Sequence, residues 1–445
     1  MKKNNLRDLL TTFLLTLSVS ACNGGQATSE SSKDPLVVWT FTDELKELID
    51  NYYIPNCNPD YEIDVKVYAL DDLSTKLRQA ISTNKNLPDL VALEAKVVLN
   101  YIDSGVLINL NDIVSTGKTD NMYDYTKDIV TVDGNCYALS WQATPGGFFY
   151  RTDLAETHLG VKTPEEMQAK MSDWSKFIAT SGELKEKGVK MLSSTIDPVK
   201  VFLGQRETGW VDSQNNFVVD DSLLQYNPET QEFGTYNCFD VVKSIHENYY
   251  SNRTAERSTT WYSDMSGDTV FGYFMSAWGL AYDLKDNSTK AGDWGFIEGP
   301  GNFYSGGTWL SGLNTSKKVN EVKDIISYFT TNTDFLRNRA LTSGDFMNNK
   351  VIMNEIKNNP SEESLAFLGG QNHYEIMYDI AEKINGNLFT KYDSIIDGYF
   401  ESIVGDYAQS KSYARTIQAA VTKFENTVKD KYSKVMTITP KFPAE

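Results

Sequence analysis

The sequence predicts an α/β protein of two lobes, each a sheet wound with helices, and three observations carry that prediction. Short apolar runs alternate with amphipathic helical patterns over residues 36–93, the order that winds a parallel sheet and covers it with helices. The chain that follows the polar N-terminal segment is about 410 residues, too long for one core and natural for two. A Pro145-Gly146-Gly147 break then precedes a new apolar run, Phe148-Phe149-Tyr150, which reads as the crossover into a second lobe.

At the N-terminus, Lys2, Lys3 and Arg7 precede an apolar run from Leu9 to Val19, and Ser20-Ala21-Cys22 follows. These are the charged, apolar and small-residue regions of an export signal. A cysteine directly after the small residues resembles the bacterial lipoprotein signal, which implies a signal peptide over residues 1–21 and a diacylated Cys22 as the first mature residue. An ordinary secreted protein that carries Cys22 is the alternative. Residues 22–34 hold no large apolar side chain and are expected to form a flexible tether.

Leu36-Val37-Val38-Trp39 reads as a strand, after which Thr42 caps a helix with Leu45, Leu48, Ile49 and Tyr52 on one face. Ile63, Val65 and Val67 alternate as a second strand, Leu73, Leu77 and Ile81 stripe a second helix, and Asp89 to Leu93 is a third, buried strand. In a wound parallel sheet the ligand crevice lies beyond the carboxyl ends of the strands. That rule singles out Phe41, Thr42 and Asp43 after the first strand and Glu94 and Lys96 after the third. In the second lobe, Thr163-Pro164-Glu165-Glu166 combines a capping box with proline at the first helical position, and Met167, Met171, Trp174 and Ile178 continue one face as far as Gly188. Ser316 caps a helix striped by Val319, Val322, Ile325, Ile326 and Phe329, and Ile417, Val421, Phe424, Val428 and Val435 stripe a long last helix. Both stripes read as packing faces.

Composition narrows the function. Sixty acidic against 42 basic residues give a formal charge of −18, which speaks against nucleic acid or anionic membrane as a partner because phosphate contacts need clustered Lys and Arg. Past the signal no apolar run is long enough to cross a bilayer. Cys57, Cys136 and Cys238 form no CxxC and no Cys/His cluster, so they are expected as buried thiols with room for a single disulfide, not as a zinc site. The GxSxG, HExxH, GxxxxGK[ST] and GxGxxG signatures are absent. His158, His246 and His373 stand in unrelated polar contexts and are expected at the surface. Asp283, Asp286, Asn287 and Asp293 lack the glycine and terminal glutamate of an EF-hand loop and are expected as a solvated turn. No metal and no cofactor is expected.

The stretch from Asp264 to Leu313 sets Trp278, Trp294 and Trp309 among glycines, and Val270 to Tyr282 reads as a buried strand turning sharply beside a cavity. With 25 Tyr, 21 Phe and 8 Trp the chain suits a sugar. The apolar face of a pyranose lies on an indole while its hydroxyls pair with Asp, Glu, Gln and Asn.

The stretches VVWTFTDEL, NLPDLVALEAKVVLNYIDSGVLINLNDI, YALSWQATPGGFFYRTDL, VFGYFMSAWGL, GDWGFIEGPG with SGGTWL, and FLGGQNHYEI resemble, in their order and spacing, the extracellular solute-binding proteins of the sugar-binding cluster that includes maltose-binding protein. The resemblance implies a two-lobe periplasmic-binding-protein-like fold with parallel-rich sheets, helices on both faces and a hinge of two or three crossovers. It implies a first lobe of residues 35–139 and 283–343 and a second of 140–282 and 344–445. It implies a non-catalytic, monomeric receptor that delivers a sugar or oligosaccharide to the permease subunits of an ABC importer. On the matched positions, Asp43 is the acid after the first strand that accepts sugar hydroxyls, Glu94 is a polar contact after the third, and Trp278 is an aromatic platform. Trp141 and Gln142 stand at the first crossover, Gly307 and Trp309 near the second, and Trp39, Phe41 and Trp210 complete the candidate set. Glu44 replaces the lysine that follows the first-strand acid in maltose-binding protein, a departure that speaks against maltose. A surface glycosidase or other polysaccharide-active lipoprotein is the rival reading, and an adhesion or scaffold protein is a third.

Overall fold

β1 (Leu36–Thr40) and β3 (Leu90–Glu94) are buried apolar strands, and β1 pairs in parallel with β3 on one side and with the more exposed β2 (Ile63–Val67) on the other. The computed structural model describes residues 34–442; Cys22, the signal and all of the tether except Asp34 lie outside the described residues. Between the strands run α1 (Asp43–Leu48), prolonged by a π-turn at Ile49–Tyr53, and α2 (Leu70–Thr83), which buries Leu73, Leu77 and Ala80. Thr42 stands at the N-cap of α1, but its hydroxyl makes no capping bond. Asp43 and Glu44 in the first turn complement the helix dipole. α3 (Ala95–Asp103) leaves directly from β3, and β4 (Leu139–Ser140) is the last strand before the chain crosses.

β5 (Pro145–Arg151) is buried at all seven positions. Gly146 and Gly147 belong to this strand and do not form a break before it. A Cβ on Gly146 would stand 2.5 Å from the Phe303 ring, and one on Gly147 2.5 Å from the Ile297 carbonyl, so glycine lets neighbouring elements close on β5. β6 (Lys190–Leu192) pairs in parallel with β7 (Val270–Ser276), which runs antiparallel to β5. β8 (Trp294–Ile297) and β9 (Phe303–Tyr304) add antiparallel to the other side of β5. Only then does β10 (Thr308–Gly312) return to the first sheet, giving the order β2-β1-β3-β10-β4. The return crossover is therefore at 305–307 and not at the expected 283, because β8 and β9 supply the outer edge of β5 before the chain leaves.

α4 (Pro164–Met171) carries the expected capping box. The stripe beyond it is not continuous: α5 (Trp174–Glu186) is restarted by Asp173, whose side chain accepts the Lys176 amide. α6 (Pro198–Gly204) and α7 (Cys238–Glu247) follow on the same face of the second sheet. α8 (Val319–Thr331) packs on the first sheet, and α9 (Thr333–Ser343) and α10 (Lys350–Asn358) lead to α11 (His373–Ala381), which covers the other face at β5 and β8. α12 (Asp393–Ala408) and α13 (Ile417–Tyr432) join the second core, where Phe400 and Phe424 meet Phe217 and Trp210. Val435 lies past α13 and is exposed. Ser316 precedes the start of α8, its hydroxyl donating to Asp89 at 2.6 Å.

Three expectations about single residues are corrected. Cys57 is exposed, Cys136 and Cys238 are buried, and all three are free thiols. His373 is fully buried with Nε2 2.8 Å from the Gly344 carbonyl, and burial pushes its pKa down to about 4. Asp283 is also buried, because the segment after β7 folds into a helical turn, Gly279–Leu284, against the body.

The two sheets are joined by segments 141–144, 305–307 and 344–349, which bond to one another. The Ala143 amide donates to the Phe346 carbonyl at 3.1 Å and the Asn348 amide to the Trp141 carbonyl at 2.8 Å. Gln142 Nε2 donates to Asp345 at 2.8 Å, and the Thr144 hydroxyl to the Gly306 carbonyl at 3.3 Å.

Candidate functional site

β3 ends on Glu94, whose carboxylate accepts the Lys96 amide at 2.7 Å and so caps α3. That cap aims the first turn of α3 across the gap between the lobes, where Lys96 Nζ stands 3.9 Å from Asp397 on α12. At the other end of α3, Asp103 pairs with Lys391 at 2.7 Å. α3 of the first lobe and the α12 region of the second thus face each other through two ion pairs. The far oxygen of Asp397 accepts the Trp210 indole N–H at 2.7 Å. Trp210 itself is fully buried, stacked near Phe217 with the Arg206 guanidinium 4.5 Å from its ring, so it positions Asp397 and offers no open face to a ligand.

The second lobe contributes more charge to the same gap. Lys200 on α6 lies 3.2 Å from Glu256 and 3.8 Å from Asp197. Arg257 extends over the Trp278 ring at 4.7 Å. Trp278 stands where β7 gives way to the π-turn Gly279–Leu284, a backbone form that concentrates at functional sites. Its N–H donates to the Ser305 carbonyl at 2.9 Å, and Gly306 passes so close that a Cβ there would stand 2.7 Å from the indole nitrogen. Gly306 also has φ of +76°, so glycine is required twice over.

The electrostatics follow from burial against pairing. Burial pushes the Asp197 carboxyl up to about 7 against the pull of Lys200, and the Asp283 carboxyl up to about 6 against Arg257. Burial also raises Glu94 and Glu401. Lys200 holds Glu256 below its ordinary value. Burial works against the charge of Lys96, but Asp397, Glu401 and Glu94 outweigh it and keep the ammonium above its usual range.

Of the residues expected in a site, the fold brings Glu94 and Trp278 to this cleft, with Gly307 in the crossover beside them; Glu94 faces Thr308 across the β3–β10 ladder. Trp141 and Trp309 are fully buried, packed against Phe329 and Tyr304 respectively, and Gln142 is a buried hinge residue. Trp39 lies 5.2 Å edge-on from Tyr68 and lines a separate cavity of about 860 Å³ bounded by β1, β2 and α2. Phe41 packs against the first core, and Asp43 is exposed in the first turn of α1. Glu44, the residue that departs from the maltose pattern, is buried with Arg339 3.3 Å away, and burial pushes it up to about 7. Arg339 also donates to the Tyr282 hydroxyl, so this triad ties α1 and α9 to the segment after β7.

Sequence reasoning missed Asp197, Lys200, Glu256, Arg257, Asp397 and Glu401. One signal was present: Asp393, Asp397 and Glu401 recur every four residues on α12, and like charges so spaced repel unless the fold provides partners. Among the described residues no group of three or more His, Cys, Asp or Glu is arranged to hold a metal ion, and no helix is long and apolar enough to cross a membrane.

Two α/β lobes, a bonded triple crossover and a polar cleft between them define a ligand-capturing protein of the periplasmic-binding-protein class. The family profile of bacterial extracellular solute-binding proteins matches residues 53–360, and the chain belongs to that family. A lactose-binding protein of Rhizobium radiobacter is 29% identical over 147 residues, 32% of this chain and 33% of that one. An uncharacterised ABC transporter extracellular-binding protein of Pyrococcus horikoshii is 27% identical over 197 residues, 40% and 43% of the two chains. The chain thus matches about a third to two fifths of the length of these curated relatives. Among solved structures, an ABC transporter binding protein of B. animalis subsp. lactis in complex with β-1,6-galactobiose superposes with a TM-score of 0.71 at 18% identity, over 91% of this chain and 98% of that one. The galacto-N-biose/lacto-N-biose I-binding protein of Bifidobacterium longum gives 0.70 at 15% identity, over 92% and 100%. These likenesses carry the fold.

Proposed function

We propose that this chain is the substrate-binding subunit of an ABC importer, a non-catalytic receptor that captures a sugar or oligosaccharide between its lobes and passes it to permease subunits. The observation that carries the reading is the cleft itself, where Trp278, fixed to the return crossover, stands beside Glu94, Lys96, Arg257 and Asp397. A half-buried indole with hydrogen-bonding groups around it matches the two faces of a pyranose. The lactose-, galactobiose- and lacto-N-biose-binding proteins it is similar to support a carbohydrate ligand. The receptor is monomeric, uses no cofactor, and its lobes exchange chain at 141–144, 305–307 and 344–349. A panel of disaccharides tests it: a receptor gives a thermal shift without turnover, since a ligand bound only by the native state stabilises it by mass action. Release of monosaccharides would support the glycosidase reading instead, and neither effect an adhesin.

The export-signal pattern supports a receptor on the outer face of the cytoplasmic membrane, anchored by lipid on Cys22. Cys22→Ala is expected to move the protein from the membrane fraction to the soluble one, because among the described residues no helix is long and apolar enough to cross a membrane and a single weak contact would not hold it. A Cys22→Ala protein that stays in the membrane fraction overturns the anchor.

A further inference from the structure

The charge in the cleft is unbalanced in a way that bears on what it takes. Glu94, Asp197, Glu256, Asp283, Asp397 and Glu401 act on one another through shared partners. Those partners are three cations, Lys96, Lys200 and Arg257. Six carboxylates therefore share three positive charges. One of the three, Arg257, is drawn over the Trp278 ring.

Acidic residues alone would say little, but two of these have buried oxygens left without hydrogen bonds, both oxygens in Asp197 and one in Asp283. Neither oxygen of Asp197 has a hydrogen-bond partner, and its Lys200 neighbour is 3.8 Å away. Asp283 uses one oxygen to accept the Tyr262 hydroxyl at 3.3 Å and leaves the other unbonded. A buried acceptor without a donor is costly, and a buried carboxylate more so. A sugar hydroxyl brings one donor and two acceptor lone pairs, whereas an ammonium brings three donors, no acceptor and the missing charge.

We propose that the natural ligand of this cleft is an aminated saccharide, bound with its ammonium among these carboxylates and its ring against the free side of Trp278. The inference rests on the carbohydrate-receptor reading above and makes it narrower. The test compares matched disaccharides that differ only at the 2-substituent, amine, acetamide or hydroxyl, in the gluco and galacto series, by calorimetry. The amine in one series is expected to bind about tenfold tighter than both of its neutral counterparts. That preference should shrink as NaCl rises from about 20 to about 300 mM, through screening. Glu256→Gln, at a partly exposed position, and Asp197→Asn, at the buried one, should each weaken binding of the amine more than binding of its neutral counterparts and so reduce the preference; Glu256→Gln keeps the test alive if Asp197→Asn does not fold. A neutral disaccharide that binds as tightly as its amine overturns this inference and leaves the sugar receptor standing. If no member of the panel binds, the carbohydrate reading falls and this one with it.

Discussion

Trp278 and Trp309 are thirty-one residues apart in one glycine-rich stretch and look alike in the sequence, yet the fold gives their removal opposite signatures. Trp309 is fully buried between β3 and β4, with Tyr304 against it and Gly307 closing so tightly that a Cβ would stand 2.8 Å from its ring. Trp309→Ala leaves a cavity, and cavities of that kind cost about 3–5 kcal/mol. An unfolding entropy of about 2.1 cal/mol/K per residue over roughly 410 residues is about 0.9 kcal/mol/K, so the melting temperature should fall by about 3–6 °C. Trp278 is only half-buried, and truncating it removes the bond to the Ser305 carbonyl and the Arg257 contact. Those are worth about 2 kcal/mol together, or about 2 °C. As a stacking surface, Trp278→Ala should weaken sugar binding by about 2 kcal/mol, roughly thirtyfold. Scanning fluorimetry without ligand and calorimetry with it separate the two. A Trp309→Ala protein that melts normally but fails to bind, beside a Trp278→Ala protein that binds normally, would refute the assignment.

Two further outcomes follow from burial. Glu44, Asp197 and Asp393 are each pushed up to about 7, mainly by burial. Such groups hold their protons better folded than unfolded, so their stabilisation is complete below their unfolded values near 4 and is lost as pH rises through 7. For Glu44 the span is at most about 3 kcal/mol. His373, pushed down to about 4, has the opposite sign and favours the folded state above pH about 6.5. The melting temperature should therefore fall as pH rises from about 6 to about 7.5 and flatten above that, less steeply in Glu44→Gln; a wild-type value that climbs across that window contradicts the burial argument. Gly147→Ala should destabilise by more than about 1 kcal/mol, because its Cβ would meet a strand carbonyl that has nowhere to move; an unchanged melting temperature would show that β8 yields.

How far the sequence foretold this arrangement depends on the range of the forces involved. The βαβαβ start was legible because period and capping are local: Leu36 to Leu93 holds alternation and stripes that only one winding satisfies. The break at Ser172-Asp173 rests on a local cap, Asp173 accepting the Lys176 amide, that the apolar stripe masked; the inclusion of Gly146 and Gly147 in β5 was not legible, since it depends on Phe303 and Ile297, distant in the chain. The return crossover was misplaced for the same reason. Whether Trp294 extends β5 or heads back to the first sheet is decided by pairing across more than a hundred residues. In the site, Glu94 and Trp278 were accessible as a strand-end acid and a tryptophan among glycines. Arg257 and Lys200 were not, because nothing local distinguishes them from other basic residues, and what selects them is a carboxylate-lined gap assembled from both lobes.

That gap also suggests how cheaply the lobes part. The hinge segments bond to one another through buried groups, while the bridges that span the cleft mouth, Lys96 to Asp397 and Lys391 to Asp103, leave Lys96, Lys391 and Asp103 substantially exposed. Exposed pairs are worth about 0–1 kcal/mol, so they bias closure without enforcing it, and ligand contacts have to supply the remainder. Lys391→Ala removes one bridge at a residue outside the ligand-facing cluster. Affinity should fall by about two- to fivefold through loss of closed population, with the melting temperature unchanged within about 1 °C. Small-angle scattering should show a larger radius of gyration for the ligand-free variant than for the ligand-free wild type, and equal radii once ligand saturates both. Equal radii without ligand, together with unchanged affinity, would mean that the bridge does not favour the closed form and that closure rests on the hinge alone.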